Sequence, residues 1–169
     1  MTGTLTRVLG FFLLALLQTS LLASLPFPLN SIPLVFVAGI WLIQQESSVA
    51  GAAWIIGMGL WMDLWGLSFV PWQTVGFSIA AIVATVSARK LFSHRSLYGI
   101  VSCYLVAAGC TLLWDIAVQF ILSLSHPEAS AWSAWVLYRV WETGLGIVLI
   151  WFVFSSTKHL RRLLGIRTA

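Results

Sequence analysis

Eight of the nine Lys and Arg residues in this chain fall in alternate gaps between long apolar segments. Arg7 precedes the first segment. Arg89, Lys90 and Arg95 lie between the fourth and fifth, and Lys158, Arg161, Arg162 and Arg167 follow the sixth. The intervening gaps contain no Lys or Arg. A chain that threads a bilayer six times would put all eight on one face, and the positive-inside rule makes that face cytoplasmic. Five spans would divide the same residues between both faces. This pattern therefore sets the expected fold: all-α, polytopic, a six-transmembrane-helix bundle with both termini cytoplasmic.

The segments themselves run at about 8–25, 29–43, 49–67, 72–88, 97–124 and 134–154, followed by a basic cytoplasmic tail over 155–169. Together they make one integral membrane domain with no soluble module. Charged residues are 8% of the chain and mean hydropathy is +0.97, whereas a soluble domain carries about 25% charge. A span needs about 20 apolar residues. The second segment reaches that length only if Leu29–Pro33 enters the membrane, and the fifth is long enough to tilt or project. The prolines (Pro26, Pro28, Pro33, Pro71, Pro127) all fall in or beside the gaps assigned outside, where a missing N–H costs least.

The pI of 9.6 does not indicate nucleic-acid binding, because the basic residues sit at segment ends and form no stripe. Lys158–Arg167 reads as a topogenic tail or a short basic amphipathic helix on an anionic leaflet. Cys103 and Cys110 are seven residues apart on one helix, roughly 10 Å, too far for a disulfide.

Four ionisable residues fall inside spans: Asp63, Asp115, Arg139 and Glu142. Each is costly in hydrocarbon, about 2.5–3.5 kcal/mol at the bilayer centre on insertion scales, so each marks a function or a partner. In the six-span topology all four lie in the outer half, with Gln18, Thr19 and Gln73 at similar depth. Arg139 and Glu142 are three apart and face each other on one helix. Arg139 can also reach Asp115 on the preceding helix. We expect one outer polar cluster of Asp63, Asp115, Arg139 and Glu142, tying the third, fifth and sixth helices together or meeting a partner.

Small residues at four-residue spacing let helix backbones approach. Ala53 and Gly57, Gly59 before Asp63, Ala80–Ala84–Ala88, and Gly99–Cys103–Ala107–Thr111–Asp115 are the expected inward faces. Catalytic patterns are missing. Neither Asp lies in G-x-G-D, no Ser in G-x-S-x-G, there is no H-E-x-x-H, and no Cys/His cluster has metal spacing. No enzyme activity, cofactor or metal is expected.

With these residues laid out, the chain resembles the bacterial rod-shape-determining MreD family. The likeness is carried by LLALLQTSLLASLPF, by the apolar pair PLVFVAGIWLIQQESSVAGAAWIIGMGLWMDLWGLS with Gly59 ahead of Asp63–Leu64, by the basic turn ARKLFSHRS, and by the late acid Asp115. It departs in the turn after Asp63, where Val70 and Pro71 stand in place of a Leu-Gly pair. The resemblance implies a six-helix bundle similar to the substrate-binding subunits of vitamin ECF transporters. It also implies a non-catalytic scaffold of the peptidoglycan elongation complex in the bacterial inner membrane. Implied partners are an MreC-like single-span protein and, through it, a RodA-type polymerase, a penicillin-binding transpeptidase and the MreB filament. The alternative is a small-molecule-binding, vitamin-type transporter subunit. There Trp61, Trp65, Trp72, Trp132 and Trp135 would line an outward pocket, and the Ala80–Ala84–Ala88 ridge would dock a transporter partner.

Overall fold

A computed structural model describes residues 2–46, 48–67, 70–92, 96–125 and 132–163, without the side chains of 2, 125, 132, 133 and 158–163. The described residues are helical and contain no strand. The six α-helices are α1 (Thr2–Leu16), α2 (Leu34–Gln45), α3 (Ser48–Trp65), α4 (Trp72–Lys90), α5 (Leu97–Ser125) and α6 (Trp132–Leu163). Arg95, His94, His126 and Arg167 lie outside the described residues, as do the side chains of Lys158, Arg161 and Arg162.

Four stretches are long and apolar enough to cross a membrane: Gly3–Ser24, Ser48–Trp65, Leu97–Leu124 and Ala134–Thr157. The protein is therefore a helical membrane protein. Little of these four is enclosed by the rest of the chain: only 6%, 28%, 17% and 11% of their apolar windows are buried. The other two helices bury more of their length, while α4 keeps an exposed apolar face at Val75, Ile79, Ile82 and Val86. α2 has only 12 residues, seven of them buried (Val35, Phe36, Val37, Gly39, Ile40, Ile43 and Gln44). It touches all five other helices. A helix apolar all round belongs in an interior, and its 12 residues cover about 18 Å. The shortest segment is thus the hub of the bundle. α4 buries Gly76, Phe77, Ala80, Ala81, Ala84, Ser87 and Ala88.

Several boundaries differ from the sequence expectation. α1 begins at Thr2 and loosens at Leu17 into a π-helical turn and then a 3₁₀ turn ending at Ser24. The hydroxyls of Thr19 and Ser20 donate to the carbonyls of Ala15 and Leu16 at 2.9 and 2.5 Å, which competes with regular helix bonds. α2 starts at Leu34, after the short turn Leu29–Ser31, rather than at 29. α6 runs on to Leu163, so the basic tail begins as the end of the last helix and not as a separate unit.

Close backbone approaches fix the crossings. A Cβ on Gly39 would lie 2.6 Å from Ile55 Cγ1, and one on Gly51 would lie 2.6 Å from Ile43 Cγ1, so only glycine permits the α2–α3 crossing. At the other end, a Cβ on Gly59 would lie 2.8 Å from the Gln73 carbonyl and 2.9 Å from Thr74 Cα. Gly57 packs instead on Phe11 of α1. Ala53 is exposed, so it does not join that inward face. Ala80, Ala84 and Ala107 are fully buried, and the Cys103 thiol donates to the Ala84 carbonyl at 3.4 Å. The Ala80–Ala84–Ala88 ridge is therefore consumed inside the chain and offers no docking face, a correction to the alternative reading. A T-shaped aromatic group, Phe36 against Phe77 and Tyr104, fills the centre between α2, α4 and α5.

Polar contacts mark the two ends. Arg7 pairs with Glu46 at 3.1 Å, and Arg89 donates to the Ser48 hydroxyl at 2.6 Å. The start of α1, the α2–α3 turn and the end of α4 thus share one end of the bundle.

Candidate functional site

The opposite end holds a belt of buried polar residues, built in two parts. The first part caps helices. α2 and α4 each follow a proline, Pro33 and Pro71, at the position where a side-chain oxygen ordinarily caps the helix, and neither proline makes a side-chain cap. The first N–H groups of a helix have no partner within it. Here the preceding helix supplies one. The Gln18 side-chain carbonyl accepts from the Val35 N–H at 3.0 Å. Asp63 accepts from the Gln73 N–H at 3.2 Å, the Thr74 N–H at 2.7 Å and the Thr74 hydroxyl at 2.6 Å. A carboxylate there also meets the positive end of the α4 dipole. This explains how Asp63 stays in an apolar helix while only 6% exposed.

The second part is an ion triad. Arg139 of α6 bridges Asp115 of α5, through Nη2, and Glu142 one turn along its own helix, through Nη1. The three side chains are largely buried, at 17%, 11% and 20% exposure. Around the triad, the Tyr104 hydroxyl donates to the Glu142 backbone carbonyl at 3.3 Å. Trp114, next to Asp115, donates its indole N–H to the Trp72 carbonyl at 2.8 Å, holding α5 against the start of α4.

The four ionisable residues therefore do not form one cluster. Asp115, Arg139 and Glu142 come together between α5 and α6, while Asp63 bonds to α4 instead and fastens α3 to it. The expected tie between the third, fifth and sixth helices is two separate fastenings. Gln18 does for α2 the work that Asp63 does for α4, a role that its depth in the sequence does not announce.

The tryptophans are likewise dispersed. Trp61 stacks on Trp65 at 6.1 Å and meets Phe12 of α1. Trp72 packs on Trp114. Trp135 lines a separate apolar groove of about 500 Å³ between α5 and α6, with Leu112, Ile116, Val136, Val140 and Ile147. The Trp132 side chain lies outside the described residues. Among the described residues no group of three or more His, Cys, Asp or Glu could hold a metal ion.

The chain matches no known family, no characterised protein and no solved structure.

Proposed function

We propose that this chain is a non-catalytic scaffold subunit of a bacterial cell-wall elongation complex, similar in role to MreD and resident in the cytoplasmic membrane. In this reading all six helices thread the membrane with both termini cytoplasmic, α2 completed by the turn before it and shielded by its neighbours. The sequence resemblance to MreD implies for the bundle the arrangement of ECF substrate-binding subunits. The bundle binds an MreC-like single-span protein, and through that partner the polymerase, the transpeptidase and the filament. The observation that carries the proposal is how the span acids are used. Asp63 is engaged by the α4 N-terminus and Asp115 and Glu142 by Arg139. Each acts as a fastener of helices, which is what a rigid docking body requires. The sequence resemblance supplies the identity of the partner. Pull-down of the tagged protein from its native membrane in mild detergent, with mass spectrometry, tests it. Co-elution of a single-span MreC-like protein supports the scaffold.

A transporter subunit is the second reading, favoured by the α5–α6 groove. Its volume of about 500 Å³ lies within the range of small-ligand pockets, roughly 300–1,000 Å³. Co-elution of ATPase and coupling subunits, or saturable quenching of Trp fluorescence by a vitamin, would select it over the scaffold.

A further inference from the structure

The end of the bundle that carries Arg7 and Arg89 has a groove of its own, about 360 Å³, between the start of α3 and the end of α4. Val49, Ala52, Ala53 and Ile56 of α3 make its apolar wall. Ser48, at its mouth, and Ile56 lie about 12 Å apart along the helix axis. Val49, Ala53 and Ile56 are exposed. So are Ile82 and Val86 of α4, which share a helix face with Arg89. The groove therefore opens toward hydrocarbon, and Ala53, which packs on no other helix face, is small enough to give it depth.

The mouth of the groove is polar. The Arg89 guanidinium donates to the Ser48 hydroxyl at 2.6 Å, which holds the head of a long, exposed side chain in place. A guanidinium has five N–H donors, and this bond uses one. Ser48 accepts it and keeps its own O–H to donate. Among the described residues no carboxylate pairs with Arg89. Glu46, the one described acid at this end, is held by Arg7 at 3.1 Å. Lys90 adds a second cation in the last turn of α4. The Thr85 hydroxyl gives its proton to the Ala81 carbonyl at 2.8 Å, so Arg89 and Ser48 are the donors that an occupant would meet.

An apolar groove that opens to lipid and ends under a cation with donors to spare matches a molecule of two parts. A phosphate suits the guanidinium, which binds it through paired N–H bonds. A hydrocarbon chain suits the groove. Basic pockets between membrane helices hold anionic headgroups in this way. A zwitterionic lipid brings the same phosphate, but its ammonium group opposes the charge of Arg89 and Lys90.

We propose that the α3–α4 groove binds one anionic phospholipid, its phosphate on Arg89 and Ser48 and an acyl chain along Val49, Ala53 and Ile56. The site requires only that the chain be a membrane protein and is independent of the scaffold reading.

The test is native mass spectrometry of the purified full chain, delipidated in mild detergent and titrated with phosphatidylglycerol or with phosphatidylethanolamine of the same acyl chains. The expected result is one retained phosphatidylglycerol per chain, preferred about fivefold or more, the order that one basic residue at a membrane surface supplies. Arg89→Gln should remove the preference. Lys90→Gln, outside the groove, should keep most of it. Ala53→Phe fills the groove from an exposed position with the charge intact. It should lower phosphatidylglycerol retention about fivefold, and it keeps the test decisive if Arg89→Gln does not fold. Equal retention of the two lipids overturns the proposal. So does a preference that survives Arg89→Gln, or retention unchanged in Ala53→Phe, since either would place the lipid elsewhere. Glycerophosphoglycerol, the headgroup without chains, should compete poorly; competition equal to that of the lipid would leave the groove without a part and equally overturn it.

Discussion

Asp63 and Thr74 are joined twice: one carboxylate oxygen accepts both the backbone N–H and the side-chain hydroxyl of Thr74, at 2.7 and 2.6 Å. The pair spans two helices and ends the free N–H groups of α4. It also sits beside Gly59, where α3 meets the α4 backbone at Gln73 and Thr74 with no room for a side chain. The polar contact and the close crossing depend on each other, because the carboxylate reaches the α4 backbone only where no side chain intervenes.

Asp63→Ala removes the cap and leaves buried N–H groups unsatisfied. A lost cap costs about 0.5–2 kcal/mol, and an unsatisfied buried donor about 1–3 kcal/mol. The expected destabilisation is therefore about 2 kcal/mol. Asp63→Asn keeps one acceptor oxygen and should lose about half as much, and Thr74→Val about 1 kcal/mol. Denaturant or thermal unfolding in detergent reads all three. If Asp63→Ala were as stable as the unaltered protein, the cap would contribute nothing.

Arg139→Ala should be the most damaging single change in the triad, because it strands two buried carboxylates. Breaking a buried pair by removing one partner costs about 3–5 kcal/mol. The combined variant Asp115→Asn, Arg139→Gln, Glu142→Gln removes the charges together and should recover most of that loss. A double-mutant cycle on the Arg139–Asp115 pair measures the coupling directly. A triple variant as unstable as Arg139→Ala alone would show that charge imbalance is not the cause.

Gly51→Ala and Gly39→Ala should each loosen the hub. An added methyl would run into Ile43 or Ile55 at 2.6 Å, and overpacking typically costs about 1–3 kcal/mol. Gly144→Ala is the control, since a Cβ there meets nothing within 4 Å, and within α6 it should raise stability by about 0.5–1 kcal/mol rather than lower it. Thermal unfolding of the three variants side by side separates crossing from composition.

The apolar segments were legible because hydrocarbon demands them, and α3, α4 and α5 begin and end within two residues of where hydropathy puts them. The ridge Gly99–Cys103–Ala107–Thr111–Asp115 was legible from its four-residue spacing, and none of its members is exposed. What acceptors bind was less legible. Asp63 and Gln18 take backbone N–H groups, which every residue but proline carries, so no pattern of side chains announces them. The one signal available was negative: Pro33 and Pro71 begin helices without a capping side chain, so an acceptor had to come from elsewhere. The Gly39–Gly51 crossing was missed because each helix contributes a single glycine there and not a stripe. The place of α2 was hidden by its length, since a segment too short to face lipid unaided reads as an uncertain span when it is the one most enclosed by protein.

Orientation can be read with thiol labelling. Glu46 lies at the end that carries Arg7 and Arg89, and its side chain is 53% exposed. Leu67 lies past the end of α3 at the opposite end and is 85% exposed. Cys103 is buried and Cys110 half-buried, so both are first replaced by Ala. In the proposed topology, Leu67→Cys reacts with a membrane-impermeant maleimide on intact cells. Glu46→Cys reacts only after the membrane is opened. The basic residues drive this outcome, because Lys and Arg beside a span are retained on the cytoplasmic face. The reverse pattern would invert the bundle and place the ion triad in the inner leaflet. Labelling of both positions from outside would mean that α3 does not cross, leaving the six-span topology untenable.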